Sequence, residues 1–157
     1  MAWSTGLYSA TVADFITKTI SGGTGLDADD TKVALFGNAS KTPDKTVTSA
    51  NTAYGAGVWA SDGVSDASGW PAIGRSLVTI AITNSGGVVK MDADDTVSAN
   101  DTTTLANVYG CLNYDDTLAT VVNDQGESFH NLSGPQSVTS GRFTVVWNSG
   151  GIWTITV

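Results

Sequence analysis

Apolar side chains in this chain recur at every second residue in short runs, and the runs end on glycine, asparagine or aspartate. That rhythm commits most of the polypeptide to strands and tight turns, because a strand sends successive side chains to opposite faces and a helix repeats every 3.6 residues. Arg142 to Trp147 sets Phe143, Val145 and Trp147 on one face. Asn148-Ser149-Gly150-Gly151 then supplies the positive-φ positions of a tight turn, and Ile152 to Val157 returns. A closing hairpin is therefore expected.

The same rhythm predicts strands over Lys32 to Phe36, Arg75 to Thr83, Val88 to Met91, Leu105 to Tyr114 and Leu118 to Val122. The turns between them are Asn84-Ser85-Gly86-Gly87 and Asp115-Asp116. Only residues 8 to 20 keep a helical period, with Tyr8, Val12, Phe15, Ile16 and Ile20 on one face and Gly22-Gly23 as the stop. At 157 residues the chain fits a single domain with one core. Residues 1–25 are expected as an N-terminal arm and helix, and 26–157 as a β domain. The expected fold is mainly β, an antiparallel sandwich or barrel-like domain with one short N-terminal helix and a long Gly/Ser/Ala-rich excursion at 37–74.

That excursion is too long for an ordinary connector, and it carries Tyr54, Trp59 and Trp70. It either packs its aromatics on the domain's own flank or reaches a neighbouring subunit as an arm. Aromatic anchors are over-represented in contacts of the second kind. Trp3, Tyr8, Trp59 and Trp70 are the candidate contact residues.

Composition narrows the function classes. Fifteen Asp+Glu against seven Lys+Arg give a net charge of −8. Nucleic-acid binding draws its affinity from lysines and arginines that displace counterions, and an anionic membrane needs the same residues, so neither partner is expected. No apolar run approaches the ~20 residues that span a bilayer, and the N-terminus has no signal-peptide pattern. Cys111 is alone in an apolar stretch, so no intrachain disulfide forms and a buried thiol is expected.

One histidine and one cysteine leave little material for proton transfer, nucleophilic attack or metal activation. His130 has Asp124, Glu127 and Ser128 nearby, but no nucleophile elbow or oxyanion glycine pattern accompanies it. A pair of carboxylates could in principle hydrolyse a glycoside, yet no aspartate is singled out to join Glu127, the one glutamate. No catalytic residue and no cofactor is assigned. Asp-Ala-Asp-Asp-Thr occurs twice, at 27–31 and 92–96. Asp27, Asp29, Asp92 and Asp94 are candidates for a structural cation such as calcium. The alternative is an Asx-type turn beside a strand.

The order of several segments resembles a known group. Lys32-Val33-Ala34-Leu35-Phe36 follows a helix and an acidic turn, and Gly74-Arg75-Ser76-Leu77 follows the Gly-rich stretch. Then come Val89-Lys90-Met91-Asp92-Ala93-Asp94-Asp95-Thr96, Tyr114-Asp115-Asp116-Thr117, Gly141-Arg142-Phe143-Thr144-Val145 and Gly151-Ile152-Trp153-Thr154-Ile155. From about residue 10 onward this is similar to small β-rich virion structural proteins of tailed double-stranded DNA bacteriophages. Phe129-His130-Asn131-Leu132-Ser133-Gly134 departs from that group's pattern. The motifs are strand and turn motifs, so they mark a fold family and not a site.

The resemblance implies a non-enzymatic virion component, made in the bacterial host cytoplasm and carried on the particle. A capsid decoration (cement) protein fits best. Its partners would be the major capsid protein lattice on the outer surface of the shell and further copies of itself in a homo-oligomer such as a trimer. The alternatives are a tail, baseplate or fibre-associated protein, and a displayed receptor- or carbohydrate-binding module in which exposed tryptophans stack on sugars.

Overall fold

The structure, a computed structural model, describes residues 4–8, 31–117 and 122–156. The expected helix at 8–20 and strand at 118–122 fall almost wholly outside them, as do Trp3, Asp27 and Asp29. Within the described residues the protein is mainly β, and all its strand pairs are antiparallel.

The strands are β1 (Gly6–Leu7), β2 (Thr31–Phe36), β3 (Gly63–Val64), β4 (Arg75–Ser76), β5 (Ala81–Ser85), β6 (Val88–Asp92), β7 (Thr96–Val97), β8 (Thr103–Asp115), β9 (Gly126–Gly141), β10 (Thr144–Val145) and β11 (Trp153–Thr156). Six of them form one sheet in the order β1-β9-β8-β2-β3, with β4 also on β2. Two smaller sheets run β10-β7 and β11-β6-β5. None of the three closes into a barrel.

Alternation along β2 and β8 divides the core in two. Val33, Leu35 and Cys111 lie on one face, with Trp70, Leu77, Met91, Phe143, Val145, Ile152 and Trp153 packed against them. Met91, Val145 and Trp153 come from the small sheets, which therefore cover this face. Ala34, Phe36, Leu112, Tyr114 and Phe129 lie on the other face beside Tyr8 and Trp59. Burying whole side chains of this size stabilises by about 1.5–3 kcal/mol each, which is why the register across β2 and β8 is fixed.

The 37–74 segment folds as part of the domain. It holds a one-turn helix α1 (Ser49–Thr52), a 3-10 turn (Gly57–Ala60) and β3. Its anchors are specific. Trp70 Nε1 donates to the Val33 carbonyl at 2.9 Å, and Tyr54 Oη donates to the Ala72 carbonyl at 2.8 Å. Tyr54 also stacks on Tyr114 at 4.9 Å between centroids. Lys41 is buried, with Nζ donating to the carbonyls of Val58 and Ser61, 3.2 Å from Asp62 and 5.3 Å from the centroid of Phe36.

Two expectations are corrected. The closing hairpin does not form. Gly151 N–H donates to the Asn148 carbonyl at 2.8 Å, so the turn is present, but its flanks diverge. Thr144-Val145 pairs with Val97 and Thr96, and Trp153 to Thr156 pairs with Met91 to Val88. The cause is non-local: Trp147 donates its N–H to Asp95 and its indole N–H to Thr96, which draws the first flank into the other sheet. The predicted strand at 75–83 is likewise split. Thr79 holds φ 58° and donates Oγ1 to Asp94, so the chain breaks between β4 and β5.

Candidate functional site

Three of the four aromatic side chains expected as outward contacts, Tyr8, Trp59 and Trp70, point inward. Tyr8, Trp59 and Trp70 are 0, 2 and 0% exposed. Trp59 packs against Phe36 at 4.8 Å and Phe129 at 6.2 Å, while Tyr8 meets Phe129 at 5.1 Å. Burial pushes the Tyr8 phenol well above its ordinary value, which keeps it protonated as the acceptor of the Trp59 indole N–H. Trp70 sits edge-on to Phe143 at 5.7 Å. These three side chains join segments of their own chain and offer no surface to a neighbour or a sugar. That corrects their assignment as interface residues. An aromatic in a Gly-rich stretch carries no local signal of which way it turns, since the sheet it packs on is built from distant strands.

The acidic motif at 92–96 joins β6 to β7, and its three carboxylates accept hydrogen bonds separately. Asp92 accepts from Lys90 Nζ at 2.9 Å and from the Ala93 N–H. Asp94 accepts from Thr79 at 2.7 Å, and Asp95 from the Trp147 N–H at 2.9 Å. The Lys90 ammonium first, with the Ala93 N–H adding to it, lowers the pKa of Asp92. Each carboxylate is committed to a different partner. Among the described residues no group of three or more His, Cys, Asp or Glu converges as cation ligands would.

Polar side chains do collect in one place that the sequence did not mark. At one end of β2, β8 and β9, Thr31, Asn113, Asp115, Gln125, Glu127 and Ser128 are all buried. Register sets Thr31 opposite Asp115 and Asn113 between Val33 and Ser128. Thr31 donates Oγ1 to Glu127 Oε1 at 3.1 Å across the sheet. Asp115 Oδ1 accepts from the Thr117 N–H at 2.8 Å and from its hydroxyl. Ser128 Oγ lies 3.0 Å from His130 Nε2, and the imidazole packs edge-on against Trp147 at 5.2 Å. Burial alone lowers the His130 pKa to about 4, so the ring is neutral near pH 7. Cys111 beside it is fully buried, and burial raises its pKa to about 12.

Neutral imidazole beside a hydroxyl is the beginning of a general-base pair. Here the hydroxyl is wholly buried on the face of the six-stranded sheet where Trp147 packs on His130, and a substrate would have to displace that cover to reach it. The strip works as an internal polar brace. The local signal that could have marked it is weak, since Glu127, Ser128 and His130 read as polar loop residues until β8 is laid beside them.

The outer surface has another character. All five residues of β5 are exposed, and none is charged. Val58, Ile73, Val78, Ile82 and Val146 are large apolar residues in contact with water. Lys32, Lys41, Lys90 and Arg142 each stand against an aspartate, so much of the scarce positive charge is locally neutralised. A concavity of about 580 Å³ beside Asp62, Val64, Asn107 and Tyr109 is a shallow, wide-open depression. Among the described residues no helix is long and apolar enough to cross a membrane. No family model, no curated protein and no solved structure matches this chain.

Proposed function

We propose that this chain is a structural virion protein, most simply a capsid decoration protein that binds the outer surface of a major capsid shell and stabilises it against internal DNA pressure. One observation carries the reading: the imidazole, the thiol and the hydroxyl beside them are enclosed while the exterior presents an uncharged strand edge and scattered apolar side chains. His130, Cys111, Ser128 and Glu127 are all buried, and β5 is exposed along its whole length. The resemblance to virion proteins of tailed bacteriophages points the same way. The packing of the small sheets over the six-stranded one is read as a sandwich-like core, which suits a component that must transmit load without deforming.

The physical advantage is linkage. A protein that binds only the assembled lattice stabilises it by RT ln(1 + [L]/Kd) per site, repeated over many sites. The negative charge and paired cations support a protein partner over nucleic acid or an anionic membrane. Self-association into a closed oligomer on the shell belongs to the same reading. The sugar-binding alternative is weakened because Trp59 and Trp70 are buried.

Particles lacking the protein, compared with complete particles, test this. The expected result is shells that open at lower temperature and lose packaged DNA sooner, with the protein present in hundreds of copies by quantitative mass spectrometry. Equal resistance with and without it would overturn the reading, and a copy number of a handful would move it to the tail.

A further inference from the structure

Among the described residues strand β5 is a sheet edge. It closes the order β11-β6-β5, and among the described residues β6 is its only partner. Gly86 and Gly87 hold φ 60° and 79°, as a two-residue hairpin turn requires, and Ser85 lies opposite Val88. In such a hairpin the pair flanking the loop is hydrogen-bonded and pairs alternate from there. Ser85, Thr83 and Ala81 therefore spend their backbone groups on β6, while Ile82 and Asn84 direct N–H and C=O into the open edge. Folded proteins usually guard such edges with charge, proline or a bulge. Ala81-Ile82-Thr83-Asn84-Ser85 has none of these.

The occupant that suits this edge is the same edge of a second copy. A chain of net charge −8 repels its own copies, so a self-contact must fall where charge is absent or cancelled. β5 is uncharged, and behind it Lys90 is neutralised by Asp92 at 2.9 Å. The register is also self-complementary. We propose that β5 pairs antiparallel with β5 of a second copy about a two-fold axis at Thr83. Ile82 then faces Asn84 of the partner subunit, and Asn84 faces Ile82 of the partner subunit, each as a hydrogen-bonded pair. The two Thr83 side chains meet across the axis as a non-hydrogen-bonded pair, an arrangement threonine favours. Two three-stranded sheets become one of six strands, and the added strand covers part of Ile82, which is 38% exposed. An isologous contact of this kind closes at two copies, unlike a head-to-tail pairing with β11. The strip is narrow, so the dimer is weak and concentration-dependent.

This pairing is a property of the free protein and goes beyond shell binding. Sedimentation of the isolated full chain from a few to several hundred micromolar should show a rise from monomer to dimer mass. T83K and T83D should each stay monomeric with unchanged circular dichroism and melting, and their mixture should regain the dimer. T83C should form a disulfide-linked dimer on mild oxidation, because the paired Cα atoms fall in the bridgeable range of about 4.4–6.8 Å. N84C should not, since its mate lies diagonally beyond that range. A wild-type monomer throughout, a trimer, dimerisation unaffected in T83K, or failure of T83C to cross-link would each overturn the proposal. Shell binding by a wild-type monomer would sink this pairing alone, and a wild-type dimer that ignores shells would sink the decoration reading alone.

Discussion

The indole of Trp59 donates its N–H to the phenol oxygen of Tyr8 at 2.7 Å, tying two segments 51 residues apart in a buried site. Phe36 and Phe129 close around the pair, so the bond lies where water cannot replace it. Tyr8→Phe should cost about 1–3 kcal/mol, because the ring still fills its space and only the acceptor is lost. Trp59→Ala should cost about 3–5 kcal/mol through the cavity it leaves. Urea unfolding of the single and double variants would measure the coupling. Additive effects for Tyr8→Phe with Trp59→Phe would mean the two rings stabilise independently.

His130 makes stability depend on pH in a defined window. Its pKa is lowered by burial from 6.5 to about 4, so between those values the unfolded chain binds a proton that the folded chain refuses. Stability is therefore fully present above about pH 6.5 and falls as pH drops toward 4, by up to roughly 3 kcal/mol. His130→Gln, which can still meet Ser128 Oγ, should flatten this part of the curve. Chemical denaturation at half-unit steps of pH would check it, and an unchanged slope in the variant would assign the loss to other groups.

Asp66 acts in a lower window. It accepts from the Thr104 N–H at 2.8 Å, the Ser68 hydroxyl at 2.8 Å, and the N–H groups of Gly69 and Ser68 at 2.9 and 3.0 Å. The Thr104 bond is the largest of the causes that hold its pKa down to about 2, against 3.8 for a free side chain. A depressed carboxylate contributes stability that is whole above about pH 3.8 and disappears as pH falls through 2. Asp66→Asn should lower the urea midpoint at neutral pH, and the two curves should converge near pH 2. A constant gap down to acid would trace the effect to lost geometry instead of lost charge.

Gly74 is held by its surroundings as well as by its conformation. It adopts φ 84°, and a Cβ there would run into the Val33 carbonyl and the Ala34 N–H beneath it. Gly74→Ala therefore meets both a left-handed backbone and the β2 ladder. The expected loss is above about 1 kcal/mol, with the sharpest amide-exchange increase at Val33 and Ala34. Wild-type protection at those amides would show that the loop yields while the strand does not.

The parts of the fold legible in the sequence are those set by neighbours. β2 reads as Lys-Val-Ala-Leu-Phe, and the β5–β6 hairpin follows from Gly86-Gly87 between two alternating runs. β9 was illegible because Ser133, Gly134, Pro135 and Ser140 interrupt its alternation, and because its pairing with β8 passes through several register shifts. Only the presence of β8 makes it a strand. The same dependence on distant partners hid the polar strip around Glu127 and turned Trp59 and Trp70 inward. What composition did convey was the exterior: a chain with so few charges has to expose uncharged strand, and β5 is where it does so.

Thr79 carries local backbone strain that can be relieved. Its φ of 58° lies in the left-handed region, which costs a β-branched residue about 1–2 kcal/mol, and it stands at the break between β4 and β5. The side chain is exposed and gives back one hydrogen bond, Oγ1 to Asp94 at 2.7 Å. An exposed bond of this kind is worth about 0.5–1.5 kcal/mol. Thr79→Asn keeps a polar group near Asp94 and tolerates the left-handed conformation, so it should stabilise by a few tenths to about 1 kcal/mol. For a chain of this length that corresponds to a rise of about 1–4 °C in Tm. Thr79→Val removes the hydrogen bond and keeps the strain, so it should fall below the wild type. Calorimetry of the three proteins gives the order Asn, Thr, Val if backbone strain dominates at this position, and Thr highest if the bond to Asp94 does.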